Sequence, residues 1–428
     1  MDWLTRWAVD RPDRPFLTRD REVVDFATAR ERIAGLVGGL RARYGSGTHL
    51  GVVMAPEPDS VLTALAVQFA GMVLVPLPVS GRAMSAELAE RAQVTDVITA
   101  VDEVPAPMPE LDSSADTAAV FSSGSSGVPR AVRLTWDNIE ASARASAVHL
   151  QHRPDDRWLA VLPLHHVGGL SIVWRSLREG STVVLAGPFD VTRTAWLLTT
   201  GRASLGSFVG AMLEALADAG LDRAPGFRHG LVGGGPASER ALSVGGMSLL
   251  PTYGMTETAS QVATADPADP DPGRLVPLTD VEISIRGDGR IVVGGPMVSP
   301  GEVGGPERDG PFVTADTGRL HEGRLEVLGR ADDVIVTGGE NVMPAAVEAV
   351  LGRIPGAGTV AVVGLADERW GQIVGCVYTG PATEDELAAA ARDLLPGFAV
   401  PRRWRRADQI PMLGIGKLDR AALRDLFD

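Results

Sequence analysis

The chain has 428 residues, 45% of them apolar, and a formal net charge of −14. The length suits one large and one small domain, and the acidic balance argues against general nucleic-acid binding while leaving room for a local basic pocket. A single cysteine, Cys376, excludes an internal disulfide and a cysteine-based metal cluster.

The first residues, Met1 to Arg6, carry an early acid and no apolar h-region, so no signal peptide is expected. Residues 27–43 hold Ala, Ile, Leu and Val at helical spacing, and 49–54 read as a short apolar strand. The most membrane-like stretch, 61–79, is interrupted by Gly71, Pro76 and Pro78 and holds Gln68. It reads as a buried helix (60–69) leading into a buried strand (72–75), not a membrane span, and a soluble cytoplasmic protein is expected. With a further strand at 94–100, the alternation implies a mostly parallel sheet.

Residues 117–121 read as a strand running into Ser122-Ser123-Gly124-Ser125-Ser126-Gly127-Val128-Pro129-Arg130. Glycines there allow a concave nest of N–H donors, serines add hydroxyls, and Arg130 adds charge, which suits a polyphosphate. Alone, the run reads equally as a linker. Thr135 is placed to cap a helix reaching residue 150. A strand at 158–162 ends in Pro163-Leu164-His165-His166. Adjacent side chains on a strand point opposite ways, so one buried and one exposed histidine is preferred over a shared metal. His166 still lies where α/β proteins place ligands. Arg175 is the lone cation of an apolar helix, 170–177. It requires either a protein carboxylate or an anionic ligand.

Strands follow at 182–186 and 204–209, with a helix at 211–217. A strand then enters Gly233-Gly234-Gly235-Pro236, where a flat ligand could lie on bare backbone, or the chain simply turns tightly. Residues 249–253 lead into Tyr253-Gly254-Met255-Thr256-Glu257-Thr258-Ala259-Ser260-Gln261. Tyr253 could stack on a base, and Glu257 offers hard oxygens to Mg²⁺. Residues 281–286 and 290–293 flank Gly287-Asp288-Gly289, a hairpin signal. Asp316 is expected in a turn. A strand at 324–328 meets Gly329-Arg330-Ala331-Asp332, read as a hinge. Beyond lie a strand (334–337), a Gly338-Gly339-Glu340-Asn341 loop, a helix (344–351), strands (359–363, 373–378) and a helix (384–395). Next come a basic patch (Arg402, Arg403, Arg405, Arg406) and Lys417 on a glycine-rich loop.

In this order, Ser-Ser-Gly-Ser-Ser-Gly-x-Pro-Arg, Leu-Pro-Leu-His-His, Gly-Gly-Gly-Pro, Tyr-Gly-Met-Thr-Glu-Thr, Thr-Ala-Asp, Gly-Arg-x-Asp-Asp and Gly-Lys-Leu-Asp-Arg closely resemble the acyl-adenylate-forming superfamily. The resemblance runs from about residue 118 to the end. His166 to Ile172 with Trp174-Arg175, Ser260-Gln261 after the threonine–glutamate motif, and Gly338 to Asn341 resemble its o-succinylbenzoate–CoA ligase branch.

The resemblance implies an α/β fold with a large N-terminal domain (1–328) of layered sheets plus a β-subdomain. A hinge (329–332) and a small mobile α+β domain (333–428) follow. It implies that a carboxylic acid attacks ATP to give an acyl-adenylate and pyrophosphate, and that coenzyme A then displaces AMP. Ser122 to Gly127 and Arg130 would cradle the β- and γ-phosphates, with Mg²⁺ near Glu257. Gly233 to Pro236 and Tyr253, with Gly254 and Met255, would hold adenine. Thr256 would meet the α-phosphate, Asp316 and Arg330 the ribose, and Lys417 both the acid and the α-phosphate. His166, Arg175, Ser260 and Gln261 would line the acyl pocket, with Arg175 on the carboxylate that is not activated. Rotation about Asp332 would exchange the Lys417 loop for the Gly338-Gly339-Glu340 loop, and the 402–406 patch would meet coenzyme A phosphates or solvent. Serines 125 and 126 stand where threonines are usual, Arg130-Ala131 where Lys-Gly is usual, and Ala315 where glycine is usual. The alternatives are a ligase for another aryl or short acid, a module that loads a carrier protein, and a non-catalytic nucleotide-binding regulator. The oligomeric state is left between a monomer and a homodimer.

Overall fold

The computed structural model describes residues 3–79, 86–122, 129–235, 237–269, 271, 273–413 and 417–428, with only the backbone of Ala86, Leu413 and Lys417. The chain divides into two compact units. The first comprises Met1–Gly233, Glu239–Ile283 and Val293–Phe312. The second comprises Gly234–Ser238, Ser284–Val292 and Val313–Asp428.

Two sheets build the first unit. In one, Leu249–Met255, His229–Gly233, Leu205–Val209, Arg157–Ala160, Thr182–Leu185 and Pro15–Arg19 run parallel in that order. Antiparallel strands extend both ends, Glu22–Asp25 at one and Ser260–Ala265 with Leu275–Pro277 at the other. In the second sheet, Asp96–Ile98, His49–Val53, Val73–Leu77 and Asp116–Ser122 are parallel, and Arg130–Thr135 and Gly301–Glu302 close it antiparallel. The mostly parallel expectation holds. The early hairpin Pro15–Arg19 with Glu22–Asp25 is an addition to it. The strand over Val73–Leu77 continues through Pro76, two residues beyond the expected end, with Pro76 opposite Val52.

Side-chain caps fix the helices. Asp25 Oδ1 accepts from the Thr28 amide at the start of Phe26–Arg43. Thr135 caps Trp136–Leu150 as expected, and Asn138 Oδ1 returns a bond to the Thr135 amide at 3.0 Å. One core joins the two sheets. Trp3, Phe16, Phe26, Leu50, Trp136, Trp158, Trp174 and Leu250 are all buried in it. Each such side chain contributes about 1.5–3 kcal/mol when removed from water. Among the described residues no helix is long and apolar enough to cross a membrane.

The second unit carries the hairpin Phe312–His321 with Arg324–Arg330. It also carries a sheet of Glu340–Val342, Ile335–Thr337, Gly371–Tyr378 and Val360–Asp367. The expected four-residue loop at 338–341 is shorter. Gly338 and Gly339, at φ +60° and +88°, make a two-residue turn, and Glu340-Asn341 already pair in the strand. The basic patch is itself a strand, Arg403–Arg406, added parallel to Gly371–Tyr378. At the sheet's rim three of its four side chains are exposed, which is why it reads as a patch. The expected hinge at 329–332 falls inside the second unit. There Arg420 ties Asp333 (2.9 Å) to Glu348 (3.0 Å).

Candidate active site

The serine-rich loop joins two antiparallel strands, Asp116–Ser122 and Arg130–Thr135, with Ser122 and Arg130 as the last facing pair. Ser123, Gly124, Ser125, Ser126 and Gly127 lie outside the described residues, as does Pro236. At the loop's exit Arg130 holds two carboxylates. Its Nη1 reaches Glu302 Oε1 at 2.8 Å and its Nη2 lies 3.8 Å from Glu257 Oε1. Glu302, on Gly301–Glu302, faces Val132 across the same sheet.

Glu257 lies in a single 3-10 turn, Thr256–Thr258, at the end of Leu249–Met255. The chain reverses through Ala259 (φ 53°) and Ser260 (φ 145°), conformations an L side chain rarely adopts. Thr258 Oγ1 donates to the Ser260 carbonyl at 2.8 Å and holds the reversal. Gly254 must be glycine, because a Cβ there would lie 2.1 Å from the Ser260 carbonyl oxygen. The turn therefore buries Thr256 and Glu257 at one end and presents Ser260 at the other. Tyr253 is buried in the strand before it.

Ser260 meets Arg175, whose Nη2 donates to Ser260 Oγ at 2.8 Å. The guanidinium is 2% exposed, sits 5.4 Å over the Trp158 ring, and leaves Nε buried without a partner. No carboxylate among the described residues pairs with it. Burial pushes it down to about 9, and it stays a cation at neutral pH. His152 packs its edge on the same indole, 5.1 Å away, and bonds Ser181 Oγ at 2.8 Å. Burial holds it near 4, helped by the positive charge of Arg175.

Two expectations for this pocket are corrected. Gln261 does not join it. Its Oε1 accepts from Ser146 Oγ (3.2 Å) and its Nε2 donates to Thr264 Oγ1 (2.9 Å), on the far side of the strand from Ser260. His165 and His166 do not point apart, because the strand stops at Ala160 and both lie in a turn. Their rings are 4.2 Å apart and both are half-buried. His166 is the N-cap of Val167–Glu179, the helix that carries Arg175.

In the second unit Asp316 and Arg330 face each other across the hairpin, Oδ1 to Nη1 at 3.8 Å. Asp316 is mid-strand rather than in a turn. The chain bulges at Thr317/Gly318 beside it, which explains the turn-like composition. Arg330 also reaches Asp332, the expected hinge, at 3.4 Å. Gly338 donates its amide to the Trp370 carbonyl at 2.9 Å, and a Cβ on Gly338 would strike that indole at 2.6 Å. Arg402 lies 4.4 Å from the same ring and Arg369 5.0 Å. Lys417 opens the strand Lys417–Leu418, paired with Met412–Leu413. Gly414 to Gly416 lie outside the described residues.

The AMP-binding enzyme family model matches residues 79–304, and the C-terminal domain of the same enzymes matches 346–417. The 2-succinylbenzoate–CoA ligase of Listeria monocytogenes serotype 4b is 35% identical over 76% of this chain and 73% of its own length. That of Bacillus cereus strain Q1 is 31% identical over 100% and 98%. The chain belongs to the AMP-binding enzyme family. Among solved structures of the family, o-succinylbenzoate CoA synthetase from Bacillus subtilis with the acyl-adenylate intermediate OSB-AMP matches at TM-score 0.87. It is 28% identical and the match covers 99% of this chain and 98% of that one. ATP-bound MatB from Rhodopseudomonas palustris, at 21% identity and TM-score 0.88, shares the fold.

Membership in the AMP-binding enzymes gives the site residues a test on their own geometry. The Glu257 side chain is 10% exposed, and its one close cation is Arg130, 3.8 Å away. Among the described residues no cluster of three metal-ligating side chains exists. One buried carboxylate with room beside it fits Mg²⁺, which takes most of its ligands from phosphate and water. The sequence reading missed Glu302, Trp158 and Trp370. The tryptophans sit among apolar neighbours and look like core, and Glu302 lies 172 residues from its partner Arg130.

Proposed function

We propose that this enzyme joins o-succinylbenzoate to coenzyme A through an acyl-adenylate, as the names of its relatives support. The observation that carries the substrate assignment is Arg175. A buried cation with a hydroxyl at 2.8 Å, an orphaned N–H and no carboxylate is a receptor for an anion. o-Succinylbenzoate brings one, because only one of its two carboxylates reacts. Pairing the other with Arg175 offsets the cost of burial and selects a diacid. Ser260 orients the guanidinium, and His166 sits at the start of the same helix.

In the first half-reaction the reacting carboxylate oxygen bonds to the α-phosphorus of ATP and pyrophosphate leaves. Two anions must meet, so the work is positioning and charge neutralisation. Arg130 and the serine loop hold the β- and γ-phosphates, Thr256 the α-phosphate, and Tyr253 with the glycine run the adenine. Asp316 accepts from the ribose hydroxyls, with Arg330 beside it. Lys417 neutralises both the attacking and the attacked oxygens. Mg²⁺, when bound at Glu257, neutralises phosphate charge. In the second half-reaction the sulfur of coenzyme A bonds to the acyl carbon and AMP leaves. The Gly338-Gly339-Glu340 turn serves this step, and Asp332 is the hinge between the two arrangements of the 333–428 domain. Arg402 and Trp370, next to that turn, suit the nucleotide end of coenzyme A. A cytoplasmic location belongs to the same proposal.

ATP–pyrophosphate exchange over a panel of acids tests the substrate. o-Succinylbenzoate should support exchange, with benzoate and succinate each slower by about a hundredfold or more. A monoacid that matches it overturns the assignment. Lys417→Ala should slow adenylation by about 10²–10³-fold while still passing a supplied acyl-adenylate to coenzyme A. Full adenylation in that variant would sink the mechanism.

A further inference from the structure

We propose that Glu302 is a positioning residue for nucleotide binding, acting through Arg130 on Glu257. The inference rests on the reading of Glu257 as the metal-facing carboxylate. A guanidinium has a rigid fork of donors, so one arginine can serve two carboxylates at once. Here the service is unequal, a direct bond to Glu302 at 2.8 Å and a gap of 3.8 Å to Glu257. Glu257 is the more deeply buried of the two, with a side chain 10% exposed against 38% for Glu302. A buried carboxylate beside a mobile cation attracts it, because solvent screens the pair least there. Without a second anchor, Arg130 would close onto Glu257 and occupy the oxygens a divalent cation needs. Glu302 supplies that anchor.

The backbone fixes both carboxylates to one segment. The Ser299 amide donates to the Glu257 carbonyl at 2.9 Å. Ser299 Oγ donates to the Arg133 carbonyl at 2.7 Å, and two residues later Glu302 pairs with Val132. Glu257, Glu302 and the strand that starts at Arg130 thus share one frame, and the unequal distances belong to that frame. The nearby Arg133 cannot substitute, since it is held by Asp116 (2.6 Å) and Glu307 (2.8 Å). The Arg130 Nε is buried without a partner, so the guanidinium keeps a donor in reserve. When nucleotide enters, Arg130 can pivot on Glu302 toward phosphate oxygens while Glu257 stays open.

Affinity for a non-hydrolysable ATP analogue, measured by calorimetry with Mn²⁺ and again with EDTA, tests this. The ratio of the two affinities isolates the metal-facing carboxylate from general damage to the fold, which would lower both. Glu302→Gln should lower the ratio about fivefold, as expected for losing a half-exposed ion pair. In an Arg130→Met background the same substitution should leave the ratio unchanged within twofold. A ratio that Glu302→Gln leaves alone, or lowers equally in both backgrounds, overturns the proposal. Glu257→Gln is the parallel arm. It should abolish the metal advantage, and if it does not, the assignment of the metal to Glu257 fails along with the inference. If Glu257→Gln abolishes the advantage while Glu302→Gln has no effect, the inference alone fails.

Discussion

Arg175 and Arg130 lie at opposite ends of one short reversal, Arg175 on Ser260 and Arg130 beside Glu257. Arg175 is in the core, stacked on an indole, with a neutral hydroxyl as its hydrogen-bond partner. Arg130 is 39% exposed and sits between two carboxylates. Burial without a counter-ion is costly, so the first site is incomplete until an anion arrives. The second is already neutralised and exchanges one set of oxygens for another. The difference teaches that one turn can serve two ligands with opposite electrostatic designs, a preformed vacancy for the acid and a shared cation for the nucleotide.

Arg175→Met probes the vacancy and should give the largest effect. The kcat/KM for o-succinylbenzoate should fall by about 10²–10³-fold, the loss of a buried charge-assisted contact. Thermal stability should hold or rise, because an unpaired buried charge is replaced by an apolar chain of similar length. Parallel melting and kinetic measurements decide it. If the variant also melts early, Arg175 is a structural member of the core and the comparison collapses.

His152 sharpens the same site from below, because its ring packs on the indole that carries Arg175. Around it are Ser181, Asp156 and the cations Arg175, Arg178 and Arg228. It is neutral in the fold, near 4, against 6.5 in the unfolded chain. The unfolded state therefore binds more protons between those values, and stability falls as pH drops from 6.5 toward 4. The full loss is about 3 kcal/mol and is absent above 6.5. His152→Gln should flatten the melting temperature across this window and leave it little changed at pH 8. An unaltered slope would show that another group governs the acid limb.

Much of this was legible before any coordinates. The Thr135 cap, the helix to Leu150 and the alternation of strands and helices follow from local chemistry and period. So does Arg175 as an anomaly, since one cation in an apolar helix needs an explanation wherever it packs. What escaped reading depends on partners distant in sequence. The strand Arg130–Thr135 has a period-two pattern, yet its first residue looks like the end of a glycine loop. Gln261 follows Ser260 directly, and only the strand's alternation separates their surroundings. The 402–406 arginines look like a solvated patch because a rim strand exposes its side chains. Asp316 looks like a turn residue because a bulge sits beside it.

Arg130→Lys should produce the smallest change and bears on the other half of the comparison. Lysine keeps the charge but offers one compact ammonium in place of a fork, so it can satisfy Glu302 or approach Glu257, not both at the present distances. Because the site is half-exposed, the pair geometry is worth about 1 kcal/mol or less. The KM for ATP should therefore rise about two- to fivefold, with KM for o-succinylbenzoate unmoved. A hundredfold loss would mean that the guanidinium binds phosphate bidentately and that its carboxylate partners are incidental. An unchanged KM would mean that charge alone suffices and that the fork is unused. A rise of two- to fivefold confined to ATP is what a shared cation requires, and a parallel rise in the acid's KM would show that the two ends of the reversal are coupled.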